Sequence, residues 1–234
     1  MAQCCANALA ALGVATASPM RPRQTGRLQR SRKQSPSLRL AARWACREPQ
    51  RGALIARAVG GSSTAAGLQQ QKEQLFALMG DNKGFDLSEA QVDEVLRAVE
   101  QLQALNPTTN PAATDLTGTK WKCIFTTSKG PSSGKIGPWI GENDQEFPPD
   151  TDGEYVNTLA LGPLQGYIKA TYRHAEGEVI RVEFLEQEFS LGPLRTKKEF
   201  EANAMVGTWR MVYQDDDLRI FYTNKGSLFV MARK

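Results

Sequence analysis

Histidine and cysteine are scarce in this chain of 234 residues, and each shortage excludes a class of site. The only histidine is His174, and no Gly-x-Ser-x-Gly sequence accompanies it, so a serine hydrolase triad lacks its parts. Three of the four cysteines, Cys4, Cys5 and Cys46, precede residue 60, which leaves Cys123 alone in the rest of the chain. One histidine and one cysteine cannot form the usual zinc sites, and a lone cysteine cannot form an internal disulfide.

Phosphate-binding loops and long apolar runs are missing as well. The chain contains neither a Gly-x-Gly-x-x-Gly sequence nor a Walker loop, so nucleotide cofactors lack their phosphate cradle. The longest weakly polar stretch covers residues 4–17, which is shorter than the roughly 20 residues of a membrane-spanning helix. We therefore assign no catalytic residue, cofactor or metal, and we interpret His174 as a surface residue beside a turn.

Acidic residues are nearly absent from the first part of the chain. Residues 1–63 contain eleven Lys or Arg and one acidic residue, Glu48, and so carry a net charge of +10. Alanine, serine and arginine without a periodic apolar face are typical of an organelle transit peptide, cleaved here near residue 58. Since the whole chain carries +4, residues 64–234 carry −6, and this acidic body predicts no nucleic-acid partner.

The body changes from helical to strand periodicity after Pro107. Apolar residues three and four apart predict one helix over 65–79 and a second over 88–105, where Ser88 and Gln91 form a capping box. Residues 64–106 are thus predicted to be helical, and residues 115–234 alternate with period two in about eight runs. The short connections between these runs favour antiparallel neighbours, and a meander of this size can close into a barrel. The predicted fold is mainly β: a lipocalin-like barrel braced by a helix pair.

The predicted interior would be filled by side chains or would hold a small ligand. Its candidate ligand-binding residues are Trp121, Phe125, Ile168, Tyr172, Ile180, Val182, Phe184, Trp209, Met211, Ile220 and Arg219. The repeated Leu-Gly-Pro-Leu at 161–164 and 191–194 is interpreted as two equivalent turns.

An apolar group in a Gly/Pro loop has two interpretations. Ile136, Trp139 and Ile140 could fold back to close the barrel mouth, or they could contact a membrane with Trp139 at the headgroup level. Both alternatives stay open at this point.

Two motifs resemble those of the plastid lipid-associated proteins, or fibrillins. Residues 115–128, DLTGTKWKCIFTTS, resemble the opening strand of that family, and YQDDDLRI at 213–220 followed by GSLFVM at 226–231 resembles its closing hairpin. The chain departs from the pattern at Phe125, where the family commonly has Tyr, and at 222–225. The resemblance extends over most of residues 66–234.

The resemblance implies a lipocalin-like barrel in plastids, at plastoglobules or thylakoids, and a plastid transit peptide over 1–63. It also implies a non-catalytic lipid-binding or structural role, with isoprenoid, quinone or galactolipid partners at a peripheral membrane or droplet surface. Two alternatives remain: an adaptor for prenylquinone metabolism that binds a protein through its helix pair, and an enzyme that uses Asp215, Asp217 or Glu186 with Arg219. The enzyme requires these groups to converge in one cavity.

Overall fold

The computed structural model describes residues 61–151 and 153–234, which open with two helices, α1 (Gly61–Met79) and α2 (Glu89–Ala104). The predicted capping box is present at the start of α2: the Ser88 hydroxyl accepts from the Gln91 N–H, and the Gln91 side chain accepts from the Ser88 N–H. Most of the predicted transit peptide, residues 1–60, lies outside the described residues. Helix α1 begins at Gly61, earlier than the predicted start at residue 65 and within the predicted leader.

Eleven strands follow the helices within the described residues. They are β1 (Thr119–Thr126), β2 (Lys135–Ile136), β3 (Trp139–Ile140), β4 (Glu142–Phe147), β5 (Glu154–Leu161), β6 (Leu164–His174), β7 (Val179–Leu191), β8 (Leu194–Glu199), β9 (Val206–Gln214), β10 (Leu218–Thr223) and β11 (Leu228–Arg233). All their pairings are antiparallel.

Eight of these strands close into a barrel. Around the barrel the order is β1, β4, β5, β6, β7, β9, β10 and β11, and β11 pairs back with β1. Closure leaves these strands without a continuous free edge, which removes the unpaired backbone groups that invite aggregation. The predicted mainly β barrel with N-terminal helices is therefore confirmed.

Two strands differ from the sequence expectation. Residues 142–147, which include three acidic residues and lack a clear apolar alternation, form β4, a full member of the barrel. Strand β8 does not join the barrel: it lies outside the closed ring and pairs only with the second half of β7. Strand β7 can serve both neighbours because it is 13 residues long: Val179 to Glu183 pair with β9, and Glu186 to Leu191 pair with β8.

The Leu-Gly-Pro-Leu repeat forms the β5–β6 and β7–β8 turns, as predicted. Gly162 and Gly192 have φ of 56° and 58°, and each is followed by proline. A glycine with positive φ at the first central position, followed by proline with negative φ, fits a type II′ turn, which matches the twist of a hairpin. Strands β5–β8 continue beyond the closed ring to these two turns. They form an extension at one end of the barrel, which we call the flared extension.

The core has two parts. Inside the barrel, aromatic and apolar side chains from all eight strands form one buried cluster, which Ala112 and Leu116 from the segment before β1 join at the end opposite the extension. Outside the barrel, α1 and α2 pack their buried residues, among them Leu75, Val99 and Leu102, on the outer face of β9–β11. The helix pair braces the barrel wall.

Candidate functional site

A continuous chain of aromatic rings occupies the barrel interior. Phe147 stacks on Tyr155 at 5.5 Å, and Tyr155 meets Trp209 edge to face at 5.0 Å. Trp209 lies 4.9 Å from Phe221, which stacks on Phe229 at 5.4 Å. Offset and edge-to-face ring pairs add to the free energy gained by burial, so these side chains fix the shape of the interior.

Arg219 lies among these rings with none of its surface exposed. Its guanidinium carbon is 4.9 Å from the centre of the Trp209 ring, 5.0 Å from Phe221 and 5.2 Å from Phe147. Its Nη1 donates to the Gln145 side-chain oxygen at 2.8 Å. Arg219 therefore makes cation–π contacts with these rings and one hydrogen bond to a side-chain amide oxygen.

Burial changes the acid–base properties of this centre. Loss of solvent lowers the pKa of Arg219 to about 9, an effect that the nearby Tyr155 and Tyr172 partly offset. Burial also raises the pKa of Tyr155 far above its usual value. At neutral pH the interior thus holds a protonated guanidinium, which only donates hydrogen bonds, beside a neutral phenol, which can donate one as well.

At the flared end, the two Leu-Gly-Pro-Leu turns place four leucines side by side. Leu161 lies opposite Leu164, Leu164 opposite Leu191, and Leu191 opposite Leu194. We call this row the leucine rim. It continues the inward face of the barrel, because Leu161 is six residues from the inward-facing Tyr155 on a strand in which alternate residues share a face.

The opposite face of the flared extension is charged. Lys197 pairs with Glu186 at 3.0 Å and with Glu199 at 3.2 Å. The extension is therefore amphipathic: ion pairs cover one face, and leucine, with Leu194 64% exposed, covers the other. A solvent-facing apolar row of this kind is costly in water unless something covers it.

The β2–β3 hairpin lies against the same rim. A Cβ built at Gly141 would come within 3.0 Å of the Leu161 Cβ, so the residue after β3 touches the first leucine of the row. Trp139 is 63% exposed and Ile140 36%, whereas Ile136 is buried. Trp139 does not fold back over the barrel mouth, which leaves Trp139 and Ile140 as the lipid-contact candidates of this hairpin.

The structure sorts the predicted ligand-binding residues into three groups. The interior holds Trp121, Tyr172, Ile180, Val182, Phe184, Trp209, Met211 and Arg219. Ile168 is half-buried on the inward face of the flared extension. Phe125 and Ile220 belong instead to the cluster beneath the helices, and so they do not line the interior.

Sequence reasoning missed four interior residues that complete the site. They are Gln145, Phe147, Tyr155 and Phe221. Tyr155 begins a strand with a visible alternation, which was a usable signal. Gln145 and Phe147 lie on β4, whose acidic residues hid the strand.

The acidic residues of the enzyme alternative do not meet in one cavity. Asp215 lies in the turn between β9 and β10 and binds Lys72 at 2.8 Å, while Asp217 is exposed. Glu186 lies on the outer face of the extension. Arg219 points into the barrel. The convergence that this alternative requires is absent among the described residues.

Three further candidate features are the histidine, a surface groove and possible metal ligands. His174 is exposed, and its Nε2 lies 2.9 Å from the Gly177 carbonyl across the β6–β7 turn. An open groove of about 430 Å³ lies beside Gly153, with charged walls formed by Arg173, Arg181 and Glu183. The described residues contain no cluster of His, Cys, Asp and Glu that could hold a metal ion.

Comparison with known proteins identifies one family. A model of the PAP_fibrillin family matches residues 69–142, from α1 to the first residue of β4. The resemblance to the plastid lipid-associated proteins, or fibrillins, is confirmed. No curated protein and no solved structure matches the chain. No helix among the described residues is long and apolar enough to cross a membrane.

Proposed function

We propose that this PAP_fibrillin protein is a non-catalytic plastid lipid-binding protein that docks on the surface of plastoglobules or thylakoids through its flared end. The observation that carries the proposal is the leucine rim with Trp139 and Ile140 beside it. The barrel interior behind the rim accepts part of an isoprenoid or acyl lipid. Residues 1–63 act as the plastid transit peptide.

The energetics of the rim favour a lipid surface over water. Transfer of one leucine side chain out of water is worth roughly 1.5–3 kcal/mol. Trp139 adds an amphipathic ring of the kind that sits at the headgroup level. Lys135, Arg195 and Lys198 are exposed on the strands that carry these apolar residues, where they would meet anionic headgroups.

The packing of the helices weakens the adaptor alternative. The apolar stripe of α2, which includes Val95, Val99 and Leu102, is buried against the barrel wall and is not available to a partner. Phe76 and Leu105 remain exposed as isolated apolar residues, 41% and 42% respectively, and single exposed residues of this kind are ordinary. The rim is the larger unpartnered apolar surface.

Co-sedimentation with galactolipid vesicles tests the proposal. We expect the full chain to sediment with vesicles, and the double variant Leu194→Ser with Trp139→Ser to bind at least about tenfold more weakly, because two exposed apolar contacts are lost. Leu105→Ser is the control, since Leu105 is also an exposed apolar residue but directly follows α2, away from the rim. Equal binding of the double variant and the wild type, or an equal loss in Leu105→Ser, would contradict docking through the rim.

Lipid cargo is tested separately. The full chain is incubated with a plastid lipid extract, re-isolated, and analysed by native mass spectrometry. One lipid retained near unit stoichiometry is the expected result for a carrier. A folded protein that retains nothing would limit the function to surface docking.

A further inference from the structure

The guanidinium of Arg219 has one edge in use and one edge free. Nη1 donates to Gln145, whereas Nε and Nη2 have no hydrogen-bond partner, although both are buried. Nε–H and the facing Nη2–H form the side edge of the guanidinium plane, which presents two parallel donors. This fork matches the two oxygens of a carboxylate.

A second buried donor lies nearby without a partner. The hydroxyl of Tyr155 is fully buried and forms no hydrogen bond of normal geometry among the described residues, although the Asn157 side chain lies close enough to lower its pKa. Its electrostatic effect on Arg219 places it close to the guanidinium. Buried polar groups are nearly always hydrogen-bonded in proteins, so two such residues at one place indicate a site for an acceptor.

The charge at this site is also uncompensated. No carboxylate in the described part of the chain lies within ion-pair distance of Arg219, and the electrostatic influences on it come from two tyrosines. The rings of Phe147, Trp209 and Phe221 stabilise the cation, but they do not neutralise it. A single negative charge would balance the site, whereas a doubly charged phosphate would exceed it.

We propose that Arg219 and Tyr155 bind the carboxylate of an acyl-chain ligand inside the barrel. The Nε and Nη2 groups of Arg219 hold the two carboxylate oxygens, and the Tyr155 hydroxyl donates to one of them. Gln145 holds the opposite side of the guanidinium and fixes its plane. This inference rests on the proposed lipid-binding function and names the ligand class for it.

The inward face of β5 shows where the acyl chain would run. From Tyr155 the same face presents Asn157, then Leu159, then Leu161 of the leucine rim. Six residues of strand at about 3.3 Å each span roughly 20 Å, the length of a long acyl chain. The head would thus lie at the buried arginine while the tail reaches the rim, where the protein meets lipid.

The test compares an acid with its ester. Binding of cis-parinaric acid, a fluorescent C18 carboxylate, and of its methyl ester to the full chain is measured by fluorescence titration. We expect the acid to bind with near-unit stoichiometry and the ester to bind at least about tenfold more weakly, because the ester carries no charge for the guanidinium. Equal affinities, or no binding of either, would overturn the inference.

Substitutions test whether Arg219 and Tyr155 cause the preference for the acid over the ester. Arg219→Met should reduce the affinity for the acid to that for the ester, and Tyr155→Phe should weaken acid binding by about threefold to tenfold while the ester is unaffected. Arg210→Met, a change on the outward side of the neighbouring strand β9, is the control and should retain the full preference. If Arg219→Met does not fold, as circular dichroism will show, the Tyr155→Phe comparison decides.

The result is separable from docking. Preference for the acid that survives in Arg219→Met, or that is undiminished in Tyr155→Phe, would overturn the carboxylate site. A protein that sediments with vesicles but does not distinguish acid from ester refutes this inference alone. If the protein prefers the acid but its rim variants sediment with vesicles as the wild type does, only the proposed docking through the leucine rim is refuted.

Discussion

At the scale of single residues, the end of the barrel beneath the α1–α2 loop holds two buried reactive groups. Lys83, whose pKa is lowered by burial, donates to the Gly141 carbonyl at 2.6 Å and to the Asn143 side-chain oxygen. Cys123 is fully buried, and burial raises its pKa to about 11, although Lys83 partly opposes the shift. The Lys83 hydrogen bonds hold the loop on the barrel, and Cys123 is protonated at neutral pH.

We therefore predict that Cys123 is unreactive in the folded protein. At pH 8 a thiol of pKa about 11 forms about two-hundredfold less thiolate than an ordinary cysteine, and burial adds a steric barrier. Iodoacetamide labelling followed by peptide mass spectrometry should find Cys123 unmodified in the native protein and modified in urea. Equal labelling rates in the two conditions would contradict the burial of this thiol.

Whether a strand residue points into or out of the barrel could be predicted from the sequence only where one face of the strand is polar. Trp121 and Trp209 were assigned correctly to the interior. Ile220 was not, because the outer face of β10 is covered by the helices and is apolar too. Phe125 was not, because the β1–β11 register shifts between Cys123 and Phe125, and this irregularity turns Phe125 to the outer face. Along β10, Leu218, Arg219, Ile220 and Phe221 are all buried, so alternation gives no information about direction.

At the scale of elements, one ion pair ties α1 to the β9–β10 turn. Lys72 donates to Asp215 Oδ2 at 2.8 Å, and the Tyr213 hydroxyl donates to the same oxygen at 2.5 Å. Oδ1 accepts from the N–H groups of Asp217 and Leu218. Burial alone would raise the pKa of Asp215, but these hydrogen bonds outweigh it, and the pKa lies below its ordinary value.

We predict that Asp215→Asn destabilises the fold by about 2–3 kcal/mol at pH 7, because it leaves the largely buried Lys72 with only the exposed Asp217 carboxylate, at 3.6 Å, as a charged partner. A lowered pKa means that the contribution of the carboxylate is present above pH 4 and is lost as the pH falls through the folded-state value. Urea unfolding should therefore show the difference from wild type shrinking below pH 4. Asp216→Asn, on an exposed residue of the same turn, should have little effect at either pH.

Some helices, turns and strands could be predicted from the sequence more readily than others. The helices were predictable from periodicity and the capping box, and the two hairpin turns from Gly-Pro between leucines. Strand β4 was not, because Asn143 and Gln145 are polar on its inward face while Glu142, Asp144 and Glu146 supply the outward face. The side-chain amides of Asn143 and Gln145 accept hydrogen bonds from the buried cations Lys83 and Arg219. The polar residues that made this strand hard to predict are therefore the ones that bind these cations.

At the scale of the whole molecule, the apolar and polar features lie at opposite ends of β6. Leu164 of the leucine rim begins this strand and His174 ends it. Ten residues of strand separate them by about 33 Å. The end near His174 is exposed and polar, with Arg173, Glu176 and Glu178 beside it, so it offers no apolar surface to lipid. A single docking orientation follows, with the flared end toward lipid.

We predict that an environment-sensitive label reports this orientation. Cys4, Cys5 and Cys46 are replaced by serine, and Cys123 is left in place because it is buried. An NBD label attached through Thr196→Cys, on the inward face of β8 next to Leu194, should brighten severalfold with galactolipid vesicles. The same label at His174→Cys should not change, because it would remain about 33 Å away in water. Brightening at both positions would mean that the protein has no fixed orientation, and brightening at His174→Cys alone would place the lipid contact at the opposite end of the barrel.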